Sequence, residues 1–265
     1  MIKVKVLIIT GYGLNCENET EYAFNLANAE VEKVNLNDIL PGIKKLEDYQ
    51  ILVFIGGFSF GDHIAAGVIL ANKFKNRLRE SLDKFIRDGK LIIGICNGFQ
   101  TIVRLGLLPG FDLNYTRQSV TLIHNDSGKF EDRWVQLRVN PESPCIFTRG
   151  MNYVYLPVRH GEGKFYSDDN NVIERILGEN LIALQYSLPA DGYPTMVYPH
   201  NPNGSLESIA GICDPSGRIF GLMPHPEGFL SPYNHPYWTR LKVENCLPKE
   251  GEGARFFRNA VNFFK

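Results

Sequence analysis

Apolar and amphipathic stretches alternate along the first part of the chain. Continuous apolar runs, several of them rich in β-branched residues, predict buried strands. These predicted strands are residues 3–10, 31–36, 49–57 and 90–95. Apolar residues at helical spacing predict helices between and after the strands. The predicted helices are residues 17–30, 69–88 and 98–108. Because strands and helices alternate with short connections, the pattern predicts a mainly parallel α/β sheet with helices on both faces.

The later part of the chain has a different pattern. Short apolar strands separated by turn residues predict an antiparallel extension of the same sheet. These strands are residues 134–139, 151–158, 181–186, 208–214 and 218–224, and a last helix is predicted over 251–264. Residues 230–250 carry Pro, Tyr, Trp and His without periodicity, which predicts an ordered surface insertion before the final helix. No repeat or low-complexity linker divides the chain, so residues 1–265 are expected to form a single domain.

Composition and charge exclude several classes of function. The chain has 28 basic and 29 acidic residues, a net charge of -1, and no basic stripe interleaved with aromatic residues, so no nucleic-acid partner is expected. No apolar run approaches the roughly 18 residues that span a bilayer, so no membrane contact is expected. The N-terminus has the pattern of a first strand and not of a signal peptide, which predicts a cytoplasmic protein.

The five cysteines differ in their sequence context. They are odd in number, widely spaced and never arranged as C-x-x-C, which argues against a disulfide framework and against a zinc site. Cys16, Cys145, Cys213 and Cys246 are interpreted as small, mostly buried hydrophobic residues. Only Cys96 lies in a pattern that needs a chemical explanation.

Cys96 lies between a predicted buried strand and a predicted helix. The segment from Gly94 to Gly98 matches the G-x-nucleophile-x-G pattern of a sharp strand-to-helix turn. Such a turn presents its nucleophile at the C-terminal edge of the sheet, where open α/β sheets bind ligands. The positive end of the following helix favours a thiolate, and the backbone N–H of Asn97 could stabilise an oxyanion. The alternative is a packed cysteine in a turn where glycine merely fits.

A thiolate nucleophile needs a base, and the segment GLMPHPEG (221–228) supplies the best choice among six histidines. Two prolines favour an extended backbone around His225. Residues two apart in an extended chain point the same way, so Glu227 can orient the imidazole of His225. The alternative is a surface proline turn with an incidental histidine and glutamate.

A third motif, IGGFSFGD (55–62), follows another buried strand. Gly56 and Gly57 would allow backbone N–H groups to approach a substrate oxygen. Without the other two motifs, an ordinary strand-to-helix turn would be the better interpretation.

Together the motifs GGFSFGD, GICNGFQ and PHPEG, in this order, resemble those of class I glutamine amidotransferases. The stretches HGEG (160–163) and NPNGS (201–205) are most similar to the glutaminase subunits of phosphoribosylformylglycinamidine synthases of purine biosynthesis. The resemblance extends from residue 2 to about residue 228 and also includes the final helix. It implies a flavodoxin-like fold and a glutaminase activity.

The resemblance also implies roles for individual residues. Cys96 would attack the side-chain amide carbon of glutamine, His225 would relay the proton to the leaving ammonia, and Glu227 would orient His225. The oxyanion donors would be backbone N–H groups near Gly57 and at Asn97. The glutamine head group would be held by Gln100, Arg159, His160 and Gly161.

The resemblance further implies a partner. Ammonia would pass to an ATP-dependent synthetase subunit, with a small accessory subunit as a possible third component. ATP and magnesium would belong to that synthetase, and no metal or cofactor is expected in this chain. Two positions depart from the family pattern: Ile55 replaces a proline before the paired glycines, and Gly228 replaces an arginine after PHPE.

Three other interpretations stay open at this point. The chain could be a free-standing cysteine hydrolase on a similar sheet, although such enzymes need neither PHPE nor GGFSFGD. It could be the glutaminase subunit of another amidotransferase. It could also be a non-catalytic scaffold, but a scaffold has no need for Cys96, His225 and Glu227 together.

Overall fold

The computed structural model describes residues 3–265, and its main feature is one large mixed β-sheet. The strands are β1 (Lys5–Thr10), β2 (Glu30–Asn35), β3 (Ile51–Phe54), β4 (Leu91–Ile95), β5 (Thr121–His124), β6 (Glu131–Val139), β7 (Tyr153–His160), β8 (Glu162–Tyr166), β9 (Ile182–Tyr186), β10 (Ile209–Cys213) and β11 (Ile219–Leu222). Nine of them form one sheet in the order β2-β1-β3-β4-β11-β10-β9-β6-β7. The fold is therefore the predicted α/β class.

Helices flank this sheet. They are α1 (Glu17–Leu26), α2 (Leu36–Ile39), α3 (Val68–Arg77), α4 (Arg79–Arg87), α5 (Asn97–Arg104), α6 (Asn170–Gly178), α7 (Trp238–Val243) and α8 (Ala254–Asn262). Aromatic pairs join the layers: Phe24 of α1 meets Phe257 of α8 at 4.9 Å between ring centroids, and Phe54 of β3 meets Phe74 of α3 at 5.0 Å. None of the helices formed by residues 3–265 combines the length and apolar character needed to span a bilayer.

The strands β2, β1, β3, β4 and β11 are parallel, and this part of the sheet positions the three motifs. Phe54 at the end of β3 pairs with Gly94 of β4, and Ile95 of β4 pairs with Leu222 of β11. The segments that follow these three neighbouring strands therefore leave the sheet at the same edge. Every residue of β3, β4 and β11 is buried, as the continuous apolar runs predicted.

The structure corrects the prediction for residues 218–224. This segment was expected in the antiparallel extension, but β11 lies inside the sheet, parallel to β4 and antiparallel to β10. The remaining extension through β9, β6 and β7 is antiparallel as predicted. An apolar pattern reports burial on both faces and carries no information about which neighbour a strand pairs with.

Three further features differ from the predicted elements. The helix predicted over 69–88 is divided into α3 and α4, because Leu78 leaves helical geometry at φ -127°, ψ 11°. Helix α6 was not predicted, although Asp169 caps it by accepting a hydrogen bond from the N–H of Asn171. The strands β5 and β8 were also not predicted, and they form a separate two-stranded antiparallel sheet.

Residues 230–250 contain more regular structure than the aperiodic sequence indicates. A short 3₁₀ turn over Pro232–Asn234 is capped by Ser231, and α7 follows. The ring of His235 packs near the rings of Trp134, Tyr155 and Phe229, with centroid distances of 5.5 to 6.0 Å. This segment is therefore anchored on the β6–β7 part of the sheet.

Candidate active site

Cys96 occupies the turn between β4 and α5 with the strained backbone geometry that the sequence predicted. Its φ is +52° and its ψ is -108°, a region that non-glycine residues rarely adopt. A Cβ atom on Gly98 would lie 1.9 Å from the carbonyl oxygen of Phe54, so only glycine fits behind the turn. The backbone N–H of Cys96 donates to Leu222 O at 2.8 Å, and its Sγ lies 3.7 Å from Arg159 O.

His225 and Glu227 follow β11, the strand beside β4. The backbone N–H of His225 donates to Pro157 O at 2.8 Å, which fixes the turn against β7. The imidazole Nδ1 lies 2.5 Å from Glu227 Oε1, and both residues are no more than 4% exposed. When this hydrogen bond is donated by Nδ1–H, Nε2 is the nitrogen left to exchange protons.

The surroundings of His225 favour its protonated form. Burial alone would lower the pKa of His225, but the charge of Glu227 and the neighbouring sulfur of Cys96 raise it well above its usual value. An imidazolium beside a cysteine is the partner that a thiolate requires. The turn therefore holds a protonated imidazole, oriented by a carboxylate, beside the thiol of Cys96.

Gly57, the first predicted oxyanion residue, lies opposite the loop before α1. Its φ is +135°, and a Cβ atom there would lie 2.7 Å from Gly13 O and 2.9 Å from the Cα of Leu14. No other residue type fits this approach without strain. The backbone N–H of Asn97 is the first of α5, so no preceding helical turn accepts a hydrogen bond from it. Both predicted donors therefore border the Cys96 turn.

The side chain of Asn97 ties the glycine loop to α5. Its Nδ2 donates to Asp62 Oδ1 at 2.9 Å, and its Oδ1 accepts from the backbone N–H of Ser59 at 3.3 Å. Burial raises the pKa of Asp62, opposed by the hydrogen bonds that its carboxylate accepts from the Asn97 side chain and the backbone N–H of Gly67. The sequence does not reveal this role of Asp62, because its partner lies 35 residues further along the chain.

A cavity of about 200 Å³ opens on the thiol of Cys96. It is smaller than the roughly 300–1,000 Å³ of pockets for drug-sized molecules, so it suits a small ligand. Its lining comprises Gly57, Phe58, Asp62, Ala66, Cys96, Gln100, Phe130, Arg159, His160, Gly161 and Glu162. Every predicted head-group residue is in this set, and so are Asp62, Glu162 and Phe130, to which the sequence assigned no role.

Gln100 is already engaged by protein atoms. Its Nε2 donates to Glu162 O at 2.6 Å, and its Oε1 accepts from Asn97 Nδ2 at 3.3 Å. This geometry fixes one wall of the cavity by joining α5 to β8. A carboxamide has further donor and acceptor capacity, so the side chain can still contact a ligand.

His160 is buried and held in one orientation by Asn125. Its Nδ1 lies 3.0 Å from Asn125 Oδ1, while Asn125 Nδ2 donates to His160 O at 2.7 Å. Burial lowers the pKa of His160 to about 3, and the neighbouring charge of His225 acts in the same direction. His160 is therefore neutral near pH 7, whereas His225 is charged.

The two departures from the family pattern have different structural settings. A Cβ atom on Gly228 would lie 2.9 Å from Pro157 Cγ and 3.6 Å from Arg159 Nη2, so the guanidinium of Arg159 lies beside residue 228. Arg159 itself is exposed at the cavity. Ile55 is fully buried between β3 and the glycine pair, where it serves as a core residue.

Cys16 is the residue that sequence reasoning missed. It was interpreted as a mostly buried hydrophobe, but it is only half-buried and its sulfur lies against His225. A Cβ atom on Gly56 would lie 3.2 Å from Cys16 Sγ and 2.9 Å from His225 Cε1, so the missing side chain allows the two to meet. The same interpretation is wrong for Cys246, which is exposed, and confirmed for Cys145 and Cys213.

Comparison with known proteins agrees with this geometry. Residues 3–264 match the family described as the CobB/CobQ-like glutamine amidotransferase domain. The chain is 46% identical to the phosphoribosylformylglycinamidine synthase subunit PurQ of Dehalococcoides mccartyi, over 99% of this chain and 98% of that protein. It is 45% identical to the subunit of the same name from Methanococcus maripaludis, over 100% and 99% of the two chains. A chain of the structure described as PurLQS from Thermotoga maritima superposes with a TM-score of 0.70 at 30% identity, covering 100% of both chains.

Proposed function

Because the chain belongs to the CobB/CobQ-like glutamine amidotransferase family, we propose that it is the glutaminase subunit of a phosphoribosylformylglycinamidine synthase. It hydrolyses L-glutamine to glutamate and ammonia. The observation that carries this function is the strained Cys96 turn beside the buried His225–Glu227 pair, at the mouth of a small cavity. Relatives that match over nearly their full length and carry that subunit's name support the choice of synthase.

The first chemical step forms a thioester. The thiolate of Cys96 attacks the side-chain amide carbon of glutamine, and the carbonyl oxygen becomes an oxyanion. The C–N bond then breaks, and the proton held on His225 Nε2 passes to the nitrogen, which leaves as ammonia. Glu227 keeps the imidazole oriented and stabilises its positive charge throughout.

The second step restores the enzyme. A water molecule gives one proton to His225 and attacks the γ-glutamyl thioester, and the C–S bond breaks to release glutamate and the Cys96 thiolate. In both steps the oxyanion is stabilised by the backbone N–H groups near Gly57 and at Asn97. These donors belong to separate elements, so a small displacement of the glycine loop would weaken the site.

The cavity residues bind the rest of the glutamine molecule. Gln100 and the Arg159–Gly161 turn line the wall next to Cys96 and hold the head group. Because His160 is neutral, the positive charge at this wall of the cavity comes from Arg159, which can attract the α-carboxylate of glutamine. Glu162 also borders the cavity, and its negative charge can attract the α-ammonium group.

Ammonia passes from this chain to a synthetase subunit. That partner uses ATP and magnesium to convert formylglycinamide ribonucleotide into formylglycinamidine ribonucleotide, and a small accessory subunit completes the assembly. The description of the solved relative as PurLQS supports an assembly of this kind. This chain needs no cofactor for its own reaction, and its five free cysteines support a reducing, cytoplasmic location.

Glutamate release from L-glutamine tests the function. The purified chain is assayed alone and with its synthetase, ATP and formylglycinamide ribonucleotide. We expect weak hydrolysis by the chain alone and strong stimulation by the full mixture. The Cys96→Ser variant should lose hydrolysis but still bind the synthetase. Hydrolysis by that variant, or broad thiol-hydrolase activity without any response to the synthetase, would overturn the proposal.

A further inference from the structure

Cys16 lies beside the imidazole that the proposed reaction uses, although that reaction assigns it no step. The residue immediately precedes α1, and its carbonyl oxygen accepts hydrogen bonds from the N–H and the hydroxyl of Thr20 at 3.2 and 2.6 Å. These bonds fix the backbone of the Cys16 loop. The thiol therefore faces His225 as a consequence of the fold, across the gap that Gly56 leaves open.

Three different metal-ligating groups converge at this point. A Cys16 sulfur, a His225 ring nitrogen and a Glu227 carboxylate oxygen all lie within 4.8 Å of one another. The ligands of a tetrahedral zinc site are about 3.3–3.8 Å apart when the metal–ligand distances are about 2.0–2.3 Å. Adjustments of about 1 Å, which close the longer separations and open the 2.5 Å contact between His225 and Glu227, would therefore bring the three groups to ligating distance.

Two buried polar atoms of this cluster also have unused hydrogen-bonding capacity. His225 Nε2 and Glu227 Oε2 have no hydrogen-bond partner among residues 3–265, and both side chains are at least 96% buried. Unpaired buried polar atoms are costly unless a ligand or a proton transfer uses them. Cys16, by contrast, is only half-buried, so one ligand of the cluster is in contact with solvent.

We propose that Cys16, His225 and Glu227 form a binding site for a thiophilic divalent cation of the zinc class, and that its occupancy inhibits the glutaminase. Thiolate, imidazole and carboxylate ligands together favour zinc over magnesium, which prefers oxygen ligands. Binding forms a metal–sulfur bond and a metal–nitrogen bond, and it releases the thiol proton of Cys16 and one ring proton of His225 to solvent, without any change of oxidation state. The wide spacing of the cysteines excludes a zinc site built from neighbouring cysteines, whereas Cys16, His225 and Glu227 are brought together by folding.

Inhibition would follow from competition for the same atoms. A cation bound to the imidazole and to Glu227 would displace a ring proton of His225 and break the contact that orients the ring, so His225 could no longer relay protons. Glutamine hydrolysis would stop without loss of the fold. This consequence rests on the proposed function, whereas cation binding does not.

Two measurements on matched variants test the site. Cobalt(II) is used as the spectroscopic probe, because a cobalt–thiolate bond gives a charge-transfer absorption band. The band should appear in the unmodified chain and in Cys246→Ser, whose thiol is exposed and distant in sequence. It should persist in Cys96→Ser and disappear in Cys16→Ser and Cys16→Ala. Thermal unfolding of each variant checks that it folds.

Zinc inhibition is measured as glutamate release relative to the zinc-free rate of the same variant. We expect Cys16→Ser to need at least about tenfold more buffered zinc for half-inhibition than Cys246→Ser does. Equal sensitivity of the two variants, or a cobalt band that survives in folded Cys16→Ser, would overturn the proposal. A Cys16-dependent band in a chain without glutaminase activity would support the metal site and contradict the proposed function.

Discussion

The Nδ1 atom of His225 lies 2.5 Å from Oε1 of Glu227, and solvent is almost completely excluded from both side chains. This buried contact helps to keep the imidazole protonated. Burial is the largest single influence and lowers the pKa of His225, but the charge of Glu227 and the neighbouring sulfurs of Cys96 and Cys16 together raise it further. The same contact fixes which ring nitrogen faces Cys96. Glu227 therefore contributes to both the charge and the orientation of the imidazole.

Glu227→Gln tests this contribution through the pH dependence of glutamine hydrolysis. The active form is a Cys96 thiolate beside a His225 imidazolium, so activity falls as pH rises through the pKa of His225. Glu227 raises that pKa, and its neutral replacement lowers it. The alkaline limb of kcat/KM should therefore move to lower pH, with a fall of about 100-fold or more in kcat.

Glu250→Gln is the matched control for that measurement. Glu250 pairs with Arg258 on the surface, so its substitution should leave both the rate and the alkaline limb unchanged. An alkaline limb that stays in place in Glu227→Gln would contradict the electrostatic role of the carboxylate.

Asp62 is expected to act by positioning the oxyanion loop. Asp62→Ala removes the acceptor of the Asn97 amide at 2.9 Å and should lower kcat about 10- to 100-fold, the equivalent of one charge-assisted hydrogen bond. Asp62→Asn keeps an acceptor oxygen in the same place and should retain most of the activity. The measurement is kcat of both variants in steady-state kinetics. An equal fall in kcat in both would contradict a pure positioning role and would mean that the negative charge of Asp62 is itself required.

Gly98→Ala and Gly178→Ala form a pair of helical glycine substitutions with opposite expected effects. A methyl group on Gly98 would meet Phe54 O at 1.9 Å, and overpacking of a core costs about 1–3 kcal/mol or more. A methyl group on Gly178 meets nothing within 4 Å and should stabilise α6 by up to about 1 kcal/mol. Urea unfolding measures both free energies, and equal effects would refute the close approach of α5 to β3.

His160 should make the folded state sensitive to acid. Its pKa is about 3 when buried and about 6.5 when unfolded, so the unfolded chain binds one more proton between these values. Stability should therefore fall as pH decreases through this window, by up to about 1.4 kcal/mol per pH unit. Between these two pKa values, His160→Gln should reduce the slope of the unfolding free energy against pH by up to about 1.4 kcal/mol per pH unit.

The control for this slope is His124→Gln. The side chain of His124 is 85% exposed, so its substitution should leave the pH dependence of unfolding unchanged. If His160→Gln and His124→Gln gave the same slope as the unmodified chain, the neutral buried state of His160 would be refuted.

The sequence predicted those features that arise from local geometry. The continuous apolar runs identified β3 and β4 because a strand buried on both faces has no polar positions. The Cys96 turn could be predicted because the glycines that mark it lie within five residues of one another, although the backbone that Gly98 approaches belongs to Phe54. His225 and Glu227 could be paired because residues two apart in an extended chain share a side.

Features that depend on long-range contacts could not be predicted in this way. The position of β11 beside β4 depends on pairing across more than 120 residues, which its own apolar pattern does not encode. The contact of Cys16 with His225 joins the loop before α1 to the turn after β11. The cavity residue Phe130 likewise comes from a chain segment whose local pattern contains no sign of a ligand, whereas Glu162 lies within the HGEG stretch but was assigned no role.

Covalent labelling by a diazoketone analogue of glutamine tests the central claim most directly. Such an analogue keeps a carbonyl where the amide carbonyl of glutamine would lie and places an alkylating carbon in the position of the amide nitrogen, so it reacts with the attacking nucleophile and releases N2. We expect peptide mapping to find a single adduct on Cys96, protection by excess glutamine, and no adduct in Cys96→Ser. Labelling of Cys16 in place of Cys96, or glutamine-protected labelling in Cys96→Ser, would contradict the account.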